Sequence, residues 1–363
     1  FDPENGHLLY LIEPGPRTKI SSISISGNEE IPTEVIRKNL LVTAGDAWDG
    51  ELLGRSKRRL LKLGLFSLVE LTPADGELNS ASEELKVRVL ERALQTLEVG
   101  FGANSELGYH FFSEGSDKSL FSDGKTLTLG ADVYYDYNIK EVSHGIAGLK
   151  YLDPLLFDGA NSFSSELRYQ KLDMATLPFD LDRLVFDSAI YRSRDSGFSR
   201  TFGYTLMRQD LSNVATDAVL SSLDQGPLTI GFLSGTVSLD KRSNPVNPNT
   251  GYFANFDYRL AAKPLGSSAE YGALGARFSF LQELVGPLLL ANNSRGAIGW
   301  SFGSTKDIPI SERYFLGGRT TVRGYGENSL GPRGEDGSVI GGDLLVQNNT
   351  ELRYLIAEAL SLN

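Results

Sequence analysis

The chain has 363 residues with 46 acidic and 35 basic side chains, a formal charge of −11 at pH 7 with histidine neutral. An acidic excess is the wrong sign for duplex nucleic acid, and zero cysteines exclude a disulfide scaffold and a cysteine-based zinc site. No run of 18 apolar residues is present, which removes the helical route across a bilayer and leaves the strand route open.

Phe1-Asp2-Pro3-Glu4 is acidic and unlike a secretory leader, so the start reads as trimmed or as part of a longer precursor. Leu8–Pro16 reads as the closing strand of a preceding domain, giving residues 1–16 to that domain. Residues 17–93 then mix two periods. Lys19–Ser26 alternates as a strand, with Ile23 and Ile25 on one face and Ile20 offset, and Gly27-Asn28 is a turn. Pro32 opens a helix with apolar residues at 31, 35, 36 and 40. A second helix runs from Gly50 to Leu63 and stops at Gly64. Leu68–Leu71 and Leu85–Leu90 follow as strands, so this domain has the order β-α-α-β-β. The strand at 85–90, or its neighbour, is expected to present a free edge.

From residue 94 onward the period is two. Leu127, Leu129, Ala131, Val133 and Tyr135 face one way, and Thr126, Thr128, Gly130, Asp132 and Tyr134 the other. The same alternation marks twelve segments: 95–102, 106–112, 125–135, 139–151, 162–171, 185–193, 200–211, 232–241, 251–262, 270–284, 288–303 and 344–354. Ten-residue strands with one apolar and one polar face are the pattern of a membrane β-barrel, whereas sandwich strands run nearer five or six. Within the first segment Leu97, Val99 and Phe101 point outward, with Glu98, Gly100 and Gly102 inward.

Chemistry of the enzymatic kind is not written here. Gly100-Phe-Gly-Ala-Asn-Ser105 lacks the third glycine of a dinucleotide loop, and His7, His110 and His144 are too far apart in sequence for a metal-ligand pair. No catalytic residue, metal or cofactor is expected. Two connections draw the eye instead. Asp240-Lys-Arg-Ser-Asn-Pro-Val-Asn-Pro-Asn-Thr-Gly-Tyr252 is dense in turn chemistry, and Asp240 with Arg242 suits a local ion pair. Residues 304–343 form a long glycine-rich loop centred on Val322-Arg323-Gly324-Tyr325. Arginine stays charged and offers a planar fork that fits a carboxylate at two points. Gly317, Gly318, Gly324 and Gly326 would let its backbone enter a crowded space, and Glu351 has inward parity on the last strand.

These stretches resemble the BamA/TamA superfamily of outer-membrane assembly barrels. The Phe315–Pro332 segment with Val322, Arg323, Gly324 and Tyr325 is similar to the family's sixth extracellular loop. The hairpin with Asp240, Arg242, Asn244, Pro245, Gly251 and Tyr252 is similar to its hairpin between strands eight and nine. Ile25-Ser-Gly-Asn28 and Leu63-Gly-Leu-Phe66 look like a POTRA domain. The resemblance implies a mainly β fold: one β-α-α-β-β POTRA domain at 17–93, then a transmembrane antiparallel barrel from 94 to 363. The family has sixteen strands against twelve here, so the C-terminal strands would be missing. It further implies that Arg323 lies in the lumen with Glu351 as partner, and that Leu97, Val99 and Phe101 belong to a lateral gate strand. The implied role is insertion of unfolded outer-membrane client proteins into outer-membrane lipid, with the POTRA domain in the periplasm. Periplasmic lipoproteins or an inner-membrane-anchored protein would be further partners, and no nucleic acid. The rival readings are a two-partner-secretion transporter and a passive porin-like barrel.

Overall fold

The computed structural model describes residues 17–74, 76, 80–104, 108–118, 120, 124–137, 140–157, 160–173, 177–194, 196–214, 222–244, 247–318, 320–335 and 337–354. Residues 1–16, given above to a preceding domain, lie outside this set, as do Pro245 and residues 355–363. The chain divides into two compact units, residues 1–95 with 117–126, and residues 96–116 with 127–363.

The first unit holds β1 (Lys19–Ser26), α1 (Thr33–Asn39), α2 (Gly50–Lys62), β2 (Phe66–Pro73) and β3 (Ser82–Glu91). The sheet order is β1-β3-β2, with β1 parallel and β2 antiparallel to β3. Residues 85–90 therefore lie on the central strand and present no edge; the edges are β1 and β2. A parallel β1–β3 pairing needs a crossover, and the two helices supply it, which carries β1 to the far side of β3. The start of β1 is further covered by the segment before α2, where Ile20 N donates to Asp46 O at 2.8 Å and Trp48 N to Thr18 O at 2.9 Å. The offset of Ile20 has a cause: the pairing with β3 shifts register between Ile20 and Ile23, a β-bulge that reverses the parity of the strand. The core is Ile20, Ile36, Leu60, Leu65, Phe66, Val69, Leu85 and Val87, all buried.

Local capping fixes the helices. The Asp49 carboxylate accepts from the backbone N–H groups of Glu51 at 2.8 Å and Leu52 at 3.1 Å, closing the N-terminus of α2. The Glu91 carboxylate accepts from the N–H groups of Glu29, Glu30 and Ile31 at 3.0, 3.0 and 2.8 Å, so the end of β3 holds the approach to α1. Gly27 has φ +84°, and a Cβ there would stand 2.0 Å from the Val89 carbonyl oxygen.

The second unit is built on one twelve-stranded sheet. Its strands are β4 (Gln95–Asn104), β5 (Gly108–Asp117), β6 (Thr126–Asp136), β7 (Glu141–Leu156), β8 (Asn161–Leu172), β9 (Asp180–Ser193), β10 (Phe198–Ser212), β11 (Leu228–Asp240), β12 (Gly251–Ala261), β13 (Tyr271–Glu283), β14 (Leu288–Ser301) and β15 (Leu344–Tyr354). Each pairs with its neighbour in sequence, which leaves β4 and β15 as the two edges among the described residues. The outward set is apolar and exposed, including Leu97, Phe101, Leu129, Leu167, Phe202, Val237, Phe256, Phe278, Val346 and Leu352.

The inner face is polar only in part. Val185, Met207, Leu228, Ile230, Phe232, Ala261 and Tyr271 form a buried cluster with Ile308 of the long loop. Phe179, Leu181 and Leu211 form a second with Ile310. The loop thus docks on an apolar patch of β9 to β13.

Candidate functional site: the loop moored on the inner wall

The loop between β14 and β15 is fixed at three successive points. The first is its entry. Glu270, in the turn before β13, accepts from the Ser304 N–H at 3.0 Å and sits 3.4 Å from the Lys263 ammonium. The Ser304 bond, with Lys263 beside it, holds this carboxyl below the usual carboxylate range. The second is a short 3-10 turn at Ile310–Glu312. There Ile310 N donates to Asp224 Oδ1 at 2.9 Å, and Gln209 Nε2 donates to Ser311 Oγ at 2.6 Å. Glu312 Oε2 accepts from Arg259 Nη1 at 2.5 Å and from the Tyr271 hydroxyl at 2.9 Å, with the Glu312 side chain only 5% exposed. The Arg259 guanidinium also lies 4.8 Å above the Phe232 ring centre. Arg313 binds the loop to itself, donating to the carbonyls of Ile308 and Ile340.

The third point is the tip. Gln347 and Asn349, adjacent on the inner face of β15, donate to the one carbonyl of Thr321 at 2.7 and 3.1 Å. Two residues on, the Arg323 Nη2 group donates to Glu351 Oε1, while Arg353 donates to Glu351 Oε2 at 2.8 and 3.0 Å. Glu351 is bracketed by two guanidiniums, one from the loop and one from its own strand. A cavity of about 460 Å³ opens beside this contact, lined in part by Arg277, Asn293, Thr320 and Arg323. Gly317 and Gly318 make the tip possible: at φ +114° and +97°, Cβ atoms would stand 2.3 Å from the Gly326 carbonyl and 1.7 Å from Glu327 Oε2. Gly324 needs only its positive φ of +90°, and Gly326 needs neither freedom. Val322 is half-buried, and Tyr325 is exposed, its carbonyl accepting from Gly318 N at 3.1 Å.

The other sequence-selected residues lie elsewhere. In the β11–β12 hairpin, Arg242 forks onto Asp240 at 2.9 and 2.6 Å and covers the Phe253 ring at 5.3 Å. The Asn244 side-chain Oδ1 accepts from Asn247 N at 3.3 Å. Gly251 at φ +101° approaches Lys241 O, and Tyr252 stands on the outer face near Phe278. These contacts shape the turn. Leu97, Val99 and Phe101 are 74%, 58% and 90% exposed on edge strand β4. The two inward glycines of that strand differ. The Phe112 ring of β5 lies where a Gly100 Cβ would be, at 2.1 Å, so the gap is filled by an aromatic; Gly102 faces open space.

Sequence reasoning missed Glu312, Arg259, Tyr271 and Asp224. The one available signal was parity: Arg259 stands among the inward residues Phe253, Asn255 and Asp257 of β12.

A family model described as the Omp85 superfamily domain matches residues 101–362, and one described as POTRA, surface antigen variable number repeat, matches residues 18–92. The outer membrane protein assembly factor BamA of Nitratidesulfovibrio vulgaris is 24% identical over 363 residues, covering 98% of this chain and 44% of that protein. The chain thus spans less than half the length of this relative. The crystal structure of BamA from Haemophilus ducreyi lacking POTRA domains 1-3 has the same fold, with TM-score 0.75 and 20% identity over 94% of this chain and 68% of that one. CdiB from Acinetobacter baumannii is less similar, with TM-score 0.53 and 18% identity over 93% of this chain and 61% of that one. With a POTRA match leading into a superfamily match that spans the outer-membrane β-sheet, the chain belongs to the Omp85 superfamily.

Proposed function

We propose that this chain is the working part of an outer-membrane assembly factor, which folds client β-barrel proteins into the lipid. Residues 17–93 act as the POTRA domain and receive an unfolded client strand by β-augmentation, at the β2 edge rather than at β3. Residues 94–363 supply barrel wall, with Leu97, Val99 and Phe101 on the strand that bounds the lateral opening. A client strand that enters beside β4 keeps its backbone paired and never meets hydrocarbon bare. Burial of its outward side chains drives the step, so no nucleotide, metal or cofactor is required. Outer-membrane clients and lipid are the partners; periplasmic lipoproteins or an inner-membrane-anchored protein would deliver or anchor.

The observation that carries this reading is a POTRA-type domain followed by one continuous antiparallel sheet whose long loop is moored on its inner face. Similarity to assembly factors across 98% of the chain supports it as well. Two-partner secretion has less behind it, since the likeness to CdiB is one of fold at a lower score. A passive pore has no use for a POTRA domain or a loop fixed across its interior. The full-length protein in lipid vesicles, offered a urea-unfolded outer-membrane barrel, should make the client protease-resistant and heat-modifiable. Equal yields with empty vesicles would defeat the proposal, and passage of the client into the vesicle interior would favour secretion.

A further inference from the structure

Two arginines end the apolar outer face at one end of β9 and β10. The outward run of β9 is Leu184, Phe186, Ser188 and Ile190, and it stops at Arg192, next to the last residue of the strand. On β10 the third residue, Arg200, precedes Phe202 on the same face. Register sets Arg192 and Arg200 directly opposite one another, with Val237 of β11 on the other side of Arg200. Both flanks of the pair are strands of the same sheet, β8 beside β9 and β11 beside β10. Directly opposed residues have Cβ atoms roughly 5 Å apart, and like charges at that spacing destabilise a sheet. Among the described residues neither guanidinium has a hydrogen bond or an ion pair.

A cavity of about 350 Å³ opens on this face, lined by both arginines with Ile190, Phe202, Val237 and Tyr258. Its cause is Gly235, which stands opposite Phe202 of β10 and Tyr258 of β12. The Tyr258 ring lies down across that gap: a Cβ at Gly235 would stand 2.1 Å from it. The wall is therefore lowered beside two cations, and its floor is apolar from them toward the middle of the belt. The charges sit at the strand ends, where long basic side chains hold their heads at the depth of lipid headgroups. On β8 to β12 no carboxylate shares the outer face at this end among the described residues. The outward acid beyond them is Asp153 of β7, opposite Phe163, and its Oδ1 accepts from Leu155 N at 3.0 Å.

We infer that this is a binding site for the headgroup phosphate of an anionic phospholipid. A guanidinium fork fits phosphate oxygens at two points, and one phosphate between Arg192 and Arg200 turns their repulsion into two attractions. Ile190, Phe202 and Val237 offer the first carbons of an acyl chain an apolar seat, and the Tyr258 hydroxyl on the same lining is placed to donate to a glycerol ester oxygen. A lipid is the occupant rather than a soluble anion, because the cavity opens on the face that hydrocarbon covers. The inference rests on the sheet spanning the membrane and is independent of what the barrel inserts or transports.

The test is native mass spectrometry of the full-length protein in detergent, titrated with dioleoylphosphatidylglycerol or dioleoylphosphatidylcholine. The parent should retain phosphatidylglycerol roughly tenfold more tightly than phosphatidylcholine. Arg192→Gln with Arg200→Gln should remove that preference, and heat-modifiable gel migration verifies that the barrel still folds. Gly235→Ala keeps both charges but lifts the Tyr258 ring into the cavity, and it should weaken retention as well. Arg208→Gln, on the outer parity at the other end of β10, should leave retention unchanged. Retention that survives the double glutamine variant, or that falls as far in Arg208→Gln, overturns the inference. Displacement of the lipid by an equal concentration of inorganic phosphate overturns the choice of occupant.

Discussion

Removing Glu312 should loosen the long loop far more than removing Arg323. Both side chains tie the loop to the wall through one ion pair, but their surroundings differ. Arg323 is 69% exposed and Glu351 32% exposed, and Glu351 keeps Arg353 when Arg323 is gone. Such an exposed pair contributes about 0.5–1 kcal/mol, which opens the tip about 2–5 times more often when it is lost. Glu312 is 5% exposed and satisfies both Arg259 and the buried Tyr271 hydroxyl. Truncating one partner of a dry buried pair costs about 3–5 kcal/mol. Arg259 is 43% exposed to the lumen, which brings Glu312→Ala to about 2–3 kcal/mol, or about 30–160 times more opening. Hydrogen–deuterium exchange of peptides covering 304–330 in the full-length protein reads both variants on one scale. Exchange in Arg323→Ala equal to or faster than in Glu312→Ala would refute the reasoning, and would mean that the wet pair holds more than its exposure allows.

Four further outcomes are expected. Brominated acyl chains should quench Trp300, whose ring covers Gly272 on the outer face, and leave Trp48 in the first unit unquenched; the converse would reverse the inside–outside assignment of β14. Photo-cross-linkers along β2 should capture unfolded outer-membrane proteins more often than those at Lys38 on α1, and those on β3 should not, because β3 is paired on both sides. Asp49→Ala should cost about 1 kcal/mol, seen as faster exchange in the first turn of α2 with the barrel unaffected. The Glu270 tether should respond to acid: its carboxyl titrates below the ordinary value of 4.5 when folded, so its stabilisation is complete above that pH and is lost as pH falls through the folded value. Exchange at residues 302–306 should rise in that window in the parent protein and stay flat in Glu270→Gln.

All twelve barrel strands were legible because a wall between lipid and lumen imposes a period of two on every strand. Four strand ends depart by four or five residues: β5 runs to Asp117 rather than 112 and β7 to Leu156 rather than 151, while β9 begins at Asp180 rather than 185 and β11 at Leu228 rather than 232. In the last two, Leu181, Leu228 and Ile230 point inward to meet Ile308 and Ile310 of the loop, inverting the pattern on which the alternation rests. The loop tip was readable because Arg323 sits in a compact motif and Glu351 has unambiguous parity. The Glu312–Arg259 contact was not, since it joins positions 53 residues apart with no local signal at either end. Sheet order in the first unit was equally hidden: a chain of β-α-α-β-β does not state which strand becomes central, and the crossover decides it.

The three inward residues of β15 that hold the loop tip, Gln347, Asn349 and Glu351, follow one another at the two-residue repeat. A strand that slips against β14 by one such repeat keeps its inward parity and its count of backbone bonds, yet carries each of these anchors about 7 Å along the wall. Gln347 would leave Thr321 for Asn349 to serve alone, and Glu351 would pass to where Asn349 had been, out of line with Arg323. The loop therefore works as a vernier on the register of β15: it seats fully at one setting only, and strand pairing by itself could not tell that setting from the next.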